Sequence, residues 1–469
     1  MASKILANMF DTLVNYERGK FFKRSALAES LRVNSEGTIW TFYLRRGITF
    51  HDGTSFNAEA VKISFDRQMN PETDFYLTEK NVYGGSTLSM IERIDILDEF
   101  TVRFQLHYPY APFYHTLANC FGASIISPSA LRKFGPEFGK HPVGTGPFRL
   151  ASWKEGKSIT LVAHETYWGG PPKIDRVEFV IVPQSIDRVE KMLDGSLDII
   201  EDVGATLIDK LYLKQDVELI YSEDLGVHVL GFNCQQKPFN DPRVRKAVAL
   251  AFDKEKFVHT MLRGKGLVAS SPLPPALGTF SSLSEQLPYD PVAAQKLLAQ
   301  AGYTRGFSVD LWCYCISERA GVLPLAIKKN LKKIDIQVNI KYYEDWDEYN
   351  RGVMRGEASL FVDGWRGNIV DPDGFLYPIF HSRARKSGGN LFHYSNASFD
   401  QLLEEARRTM NEPTRMMLYD EALRIIVSDL PCLFISFSKE TFALRSCIEG
   451  FSVNPLGIVR LNNVEYVPL

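Results

Sequence analysis

The residues best placed to do chemistry lie in one short stretch, Gly364-Trp365-Arg366-Gly367-Asn368, followed by two carboxylates, Asp371 and Asp373, around Pro372. Trp365 offers a flat aromatic face. Arg366 offers a planar cation that can grip a carboxylate or phosphate through two parallel hydrogen bonds. The flanking glycines, Gly364 and Gly367, leave room for another backbone to approach. Leu360, Phe361 and Val362 form an apolar, β-prone run after the polar turn Arg355-Gly356-Glu357, so the stretch stands at the carboxyl end of a strand that breaks at Gly364. Open α/β sheets bind ligands at that end. The same residues fit a plainer reading, with Trp365 in the core and Arg366 solvated, and by themselves they leave both open. Asp371 and Asp373 could be drawn as an acid and a base. Asp-Pro also opens helices at Asp241-Pro242 and Asp290-Pro291, and a capping or turn role fits better.

Other chemistries find less support. No HExxH, GxSxG or Walker A pattern occurs, which leaves metalloprotease, esterase and NTPase sites without a motif. The run from Pro142 to Phe148 is glycine-rich but lacks the spacings of phosphate-binding loops. Gly156-Lys157-Ser158 ends like a P-loop, but Ala151 stands where that loop needs glycine. His381 and His393 carry no further ligand motif, and a core or surface role comes before a metal. Six cysteines, Cys120, Cys234, Cys313, Cys315, Cys432 and Cys447, form no CxxC pair and read as buried or isolated thiols. Cys313 and Cys315 would share one strand face, a poor disulfide geometry. One bridge elsewhere is still allowed, so the redox compartment is left undecided.

With 469 residues the chain has room for two or three domains. Lys and Arg number 54 against 56 Asp and Glu, a net charge of −2 with no basic half, which argues against nucleic acid or an anionic membrane as main partner. No apolar run approaches the ~18 residues that span a bilayer. Met-Ala-Ser-Lys leads straight into a helical pattern, with no signal-peptide signature.

Several elements must hold the stretch in place. Residues 4–14 read as a helix and 39–44 as a strand, with Trp40, Phe42 and Leu44 on one face. Asn57 caps a helix that buries Val61 and Phe65. Residues 91–106 read as a hairpin turning at Asp98-Glu99. A helix follows Pro112, strands cover 159–162 and 177–182, and a helix ends near Gly195. From Phe307 onward the pattern alternates: strand 307–315, helix 322–332, strand 334–342, helix 346–354, strand 358–363. That order predicts βαβ units and a parallel sheet. Two more helices, 398–410 and one from Pro413 to before Pro431, precede a strand at 432–437 and an irregular tail. Ser270 to Pro275 reads as a connector. The tail is too short for a core of its own and must pack on the first region, giving two lobes joined by two crossings.

A series of runs then carries a family resemblance: Asn8-Met9-Phe10-Asp11-Thr12-Leu13-Val14, Trp40 through Gly53, Pro142 through Phe148, Phe232-Asn233, Pro238 through Arg245, Asp363-Gly364-Trp365 and Asn454-Pro455-Leu456-Gly457. In this order, over nearly the whole chain, they resemble the family 5 extracellular solute-binding proteins of ABC importers, the dipeptide-, oligopeptide- and nickel-binding group. The resemblance implies an α/β, two-lobed periplasmic-binding-protein fold (type II, cluster C) with an extra subdomain in lobe I. Lobe I would be 1–265, with the subdomain about 30–155, lobe II 266–440, and 441–469 would return to lobe I. It implies a non-enzymatic substrate receptor without a cofactor, periplasmic or extracytoplasmic, and monomeric. Its partners would be a small-molecule or peptide-like ligand and the permease subunits, and not nucleic acid. A receptor for a nickel- or haem-type metal chelate is the alternative, and a hydrolase ranks below both. The ligand-binding residues it implies are Gly364, Trp365, Arg366, Gly367, Asn368, Asn233 and Arg319.

Two departures from the family pattern matter. Peptide-binding relatives hold the free amine with an Asp three residues after the Trp, where this chain has Asn368. A neutral amide accepts a hydrogen bond from an ammonium but cannot pair its charge. Free di- and oligopeptides should therefore bind weakly, and tight binding that depends on a free amine would mean that another carboxylate, Asp363 or Asp371, has taken over. The Arg that dipeptide-binding relatives use for the carboxylate lies near Gly321 or Val322, so Arg319 and Arg366 are the candidates here. Relatives also begin with a signal peptide and a strand ahead of the helix at 4–14, so export rests on the resemblance alone.

Overall fold

The computed structural model describes residues 2–16, 23–77, 88–204, 207–278, 287–314, 321–454 and 456–468. Arg319 and Cys315 lie outside them. The chain divides into two compact units: Met1–Ser222 with Arg408–Met410 and Glu440–Leu469, and Glu223–Arg407 with Asn411–Lys439.

In the first unit the opening helix spans only Ala2–Met9, shorter than the expected 4–14. It stops because its last carbonyl is claimed from elsewhere: Gly146 N–H donates to Met9 O at 2.9 Å. Gly146 must lack a side chain here, since a Cβ would sit 2.5 Å from the Met9 carbonyl carbon. The glycine-rich run thus serves close packing. Asn8 fastens the returning tail, donating to Val459 O at 2.7 Å and accepting from Leu461 N–H at 2.8 Å. Ile5, Met9, Phe10 and Phe148 share one core with Val459, Leu461 and Val464. Asp11 is fully buried and collects Arg460 (3.0 Å), Trp168 Nε1–H (2.9 Å) and the Thr145 hydroxyl (3.1 Å). A four-stranded antiparallel sheet runs Ala28–Val33, Ile39–Leu44, Thr101–Leu106, Ile91–Asp98. Trp40, Phe42 and Leu44 alternate inward as their spacing requires. Asn57 caps the helix Ala58–Met69 by accepting from Ala60 N–H.

The second unit holds the stretch of interest. Its elements are β1 (Val217–Phe232), α1 (Pro242–Ala251), α2 (Pro291–Gln300), β2 (Phe307–Tyr314), α3 (Val322–Leu331), β3 (Ile336–Tyr343), α4 (Trp346–Met354), β4 (Leu360–Arg366), α5 (Asp373–Phe380), α6 (Ala397–Arg408), α7 (Glu412–Asp429) and β5 (Cys432–Arg445). β1 carries the chain into this unit and β5 carries it out. Asp241 and Asp290 cap α1 and α2 as expected, accepting from Arg243 N–H and from Val292 and Ala293 N–H.

The strand order is β3-β2-β4-β1-β5. β2 pairs in parallel with β3 and with β4, but β4 pairs antiparallel with β1. The sheet is therefore mixed, where parallel pairing alone was expected. β1 also has no counterpart in the sequence reading, because Ser222-Glu223-Asp224 and Gly226 interrupt its apolar pattern. β4 does not break at Gly364. It continues through Arg366 because β1 supplies partners, Gly364 opposite His228 and Arg366 opposite Gly226.

Helices cover both faces. Val244, Ala247 and Val248 of α1, Ala294 and Leu298 of α2, and Ile327 and Leu331 of α3 share a core with Leu230, Leu311 and Leu360. Each fully buried aliphatic side chain contributes roughly 1.5–3 kcal/mol. Because α1 belongs to that core, the division falls at Ser222/Glu223, earlier than the 265/266 boundary drawn at the Pro-rich connector. On the other face Phe361 stacks on Phe392, with ring centroids 5.7 Å apart.

Candidate functional site

Successive β4 side chains point to opposite faces. Gly364 and Arg366 share one face, and Asp363 and Trp365 the other. Arg366 Nη2 lies 2.6 Å from Asp224 Oδ2, with the Asp224 side chain 1 % exposed and the Arg366 side chain 50 % exposed. Gly364 is exposed, and beside it His228 meets the Ser438 hydroxyl at 3.0 Å. The surrounding protein holds the His228 imidazole below its ordinary value, and the nearby Arg366 cation adds to that. Trp365 is half-buried and fixed, its indole N–H donating to Gly374 O at 2.9 Å. Asn368 is half-buried beyond the strand end.

Two residues expected at the site do other work. Gly367 is buried, and a Cβ there would land on the Phe375 ring. Its glycine serves packing against α5, while its N–H donates to Leu225 O at 2.9 Å. Asn233 lies at the far end of the β1–β4 pairing, where its N–H donates to Ser359 O. Seven residue steps at about 3.3 Å each separate it from Arg366 by roughly 23 Å. Asn233 is 2 % exposed, and its amide binds Gly356 O and the Gln235 N–H. The structure therefore brings Gly364, Trp365, Arg366 and Asn368 together and leaves Asn233 apart as a turn-fixing residue.

The nearby carboxylates divide sharply. Asp371 Oδ1 accepts from Asp373 N–H at 2.9 Å, the turn role its sequence suggested, and its other oxygen meets Arg415 of α7. Asp373 meets Arg407 of α6 at 3.1 Å. All four side chains are withdrawn from solvent, so neither aspartate is poised as an acid or a base. Among the described residues Asp363 accepts from the backbone N–H of Gly364, and burial pushes its carboxyl up to about 7. His381 faces Asp400 and Glu404, and His393 lies 3.2 Å from Val353 O. Among the described residues no group of three or more His, Cys, Asp or Glu side chains is arranged to hold a metal.

A feature the sequence reading passed over lies beside Asp363. Tyr314 of β2 pairs with Tyr343 of β3, and α4 lays Trp346 and Tyr349 over them. Ring centroids are 5.1 Å apart for Tyr314–Trp346 and 5.8 Å for Tyr343–Tyr349. The signal was the run Tyr342-Tyr343-Glu344-Asp345-Trp346 between a strand and a helix.

A family described as "Bacterial extracellular solute-binding proteins, family 5 Middle" matches residues 24–387. The chain belongs to this family. Among its relatives, the Dipeptide-binding protein of Escherichia coli is 31% identical over 476 residues, covering 97% of this chain and 89% of that protein. Heme-binding protein A of Haemophilus influenzae is also 31% identical, over 468 residues, covering 96% and 85%. Among solved structures, the periplasmic binding protein DppA from Helicobacter pylori, in complex with peptide STSA, superimposes with a TM-score of 0.85 at 29% identity, covering 98% of this chain and 93% of that one. The fold is the mixed α/β fold of periplasmic binding proteins. Proteins of this family are solute-binding components of ABC importers and not enzymes. No described helix is long and apolar enough to cross a membrane.

Proposed function

We propose that this chain captures a peptide or peptide-like small molecule at the carboxyl end of β4 and delivers it to the permease subunits of an ABC importer. The exposed backbone of Gly364, set between Asp363 and Arg366 in one strand end, carries this reading. A ligand main chain can lie against Gly364 because the residue brings no side chain of its own. Trp365 offers a ring held in one orientation by Gly374. Arg366 has five N–H donors, more than one carboxylate uses, so it can hold Asp224 and a ligand carboxylate together. Asn368 supplies a neutral amide. Arg319 is retained as a second cation for the ligand, while Asn233 and Gly367 are left out because their groups serve a turn and a packing contact.

The protein acts as a receptor and not as an enzyme, working as a monomer outside the cytoplasm. Closure on the ligand, typical of this fold, is driven only by contacts stronger in the closed state than in the open one. A haem-type ligand is the second reading, supported by the 31% identity to Heme-binding protein A. Mass spectrometry of small molecules released from the purified protein separates the two, together with calorimetry against a panel of di- and tripeptides. Peptides or peptide-like molecules in the released fraction, and saturable heat with some of the panel, are expected. A bound porphyrin with no heat from any peptide would overturn the peptide reading.

A further inference from the structure

Asp363 is the one of the three neighbouring carboxylates that no described arginine serves: Asp371 has Arg415 and Asp373 has Arg407. Among the described residues no cation pairs with Asp363, and its hydrogen bond comes from the backbone N–H of Gly364. The Asp363 side chain is half-buried, open enough for a cation to reach it, and a partly desolvated carboxylate without a cation is costly to keep charged. That cost shows as the upward push of its carboxyl.

The surroundings are suited to discharging this cost with a cation from outside. The register Cys313↔Val362 between β2 and β4 places Tyr314 in the same row as Asp363, and Tyr343 continues the row in β3. Tyr349 closes the row from α4, its hydroxyl donating to Val362 O at 2.7 Å. Burial first and then the Asp363 carboxylate push the Tyr349 phenol well up, which puts the two groups within electrostatic reach. Trp346, 44 % exposed, brings its ring to Tyr314 at the open side of the row. Aromatic faces attract cations lying within about 6 Å of the ring centroid, most strongly when water is excluded.

We propose that Asp363 is the counter-ion for an ammonium group of the ligand, which sits against the rings of Tyr314, Tyr343 and Trp346. This rests on the peptide-like reading above and sharpens it: the ligand carries a free amine or another small organic cation. It also supplies the negative charge that Asn368 lacks. The other titratable groups around Asp363 do not compete for that role. Tyr349 and Cys432 are neutral acids pushed up by burial. Beyond them, Tyr343 is flanked by Lys341, Glu348 and Glu357, and Lys341 is paired with Asp310 at 2.7 Å. Asp371 and Asp373 are paired as above.

The test is calorimetry on the wild type and on Asp363→Asn, a change of equal shape that removes the charge. The probes are dipeptides with a free amine, their N-acetyl counterparts, and 2-phenylethylammonium. The free-amine dipeptides should lose about 30-fold or more in affinity in Asp363→Asn, while the N-acetyl forms change by less than about threefold. Binding of 2-phenylethylammonium should be lost with the carboxylate. Amine discrimination unchanged in Asp363→Asn would overturn the proposal. If no dipeptide of either form binds the wild type, the peptide reading fails, and 2-phenylethylammonium still decides this one. Its binding to the wild type alone supports the proposal. Its failure to bind, or equal binding to both proteins, refutes it. Thermal unfolding of Asp363→Asn at or above the wild-type temperature confirms that the variant is folded.

Discussion

Replacing Arg366 by alanine removes the cation 2.6 Å from Asp224, whose side chain is 1 % exposed. Breaking a fully buried pair by deleting one partner costs about 3–5 kcal/mol, because a charge is left without compensation. Here the arginine side is half in water, and solvent already weakens its attraction. The expected loss of stability is therefore about 2 kcal/mol. For a unit of this size that corresponds to a fall in Tm of roughly 4–8 °C. Arg366→Lys should recover only part of it, since a point charge does not reproduce the guanidinium fork. Adding Asp224→Asn to Arg366→Ala should restore most of it, because the stranded charge is gone. The assay is thermal and urea unfolding of the four proteins in a double-mutant cycle, without ligand. A Tm for Arg366→Ala within about 1 °C of wild type, or no rescue by Asp224→Asn, would refute the reasoning. The ion pair with Asp224 would then contribute little to stability.

The two glycines should separate cleanly. Gly367→Ala drives a methyl into the Phe375 ring and should cost about 1–3 kcal/mol of stability in urea melts. Gly364→Ala brings a Cβ to 3.2 Å from His228 and from Val227 O, tight contacts that the His228 ring must yield to, and should weaken ligand binding by calorimetry while lowering stability by about 1 kcal/mol. In the first unit, Arg460→Ala strands the buried Asp11 and should cost about 3 kcal/mol, read from thermal unfolding. Affinity for a free-amine ligand should fall about tenfold per pH unit as pH drops below about 7, as Asp363 takes up its proton. For folding the sign is opposite. The folded value of Asp363, about 7, exceeds the unfolded carboxylate value near 4, so its contribution is fully present below about 4 and lost as pH rises through 7. Urea melts of wild type and Asp363→Asn across pH 4–8 should converge at the acid end.

Much of the fold was legible where the determinant is local. Asn57, Asp241-Pro242 and Asp290-Pro291 cap the helices they precede, because a cap needs only neighbours three residues away. The β2-α3-β3-α4-β4 alternation was readable from its periodicity. Less visible were features set by distant partners. β4 runs through Gly364 only because β1 pairs with it, and β1 hides behind its polar residues. One of those, Asp224, is the ion-pair partner of Arg366, far away along the chain. The site shows the same division. Gly364, Trp365 and Arg366 were singled out from residue type and position, and the fold sets them together at one strand end. Asn233 was drawn in by its motif, while the fold places it at the opposite strand end. The row of Tyr314, Tyr343 and Asp363 exists only once three strands are in register.

Hydrogen exchange followed by mass spectrometry tests most directly whether the carboxyl end of β4 holds the ligand. The protein would be compared alone and saturated with the molecule it releases, or with a dipeptide that gives heat. Slower exchange at the amides of residues 364–368 is predicted, by about tenfold or more, because a ligand lying on that backbone excludes water from it. Unchanged exchange across 364–368 under saturating ligand, with protection confined to other segments, would contradict the account.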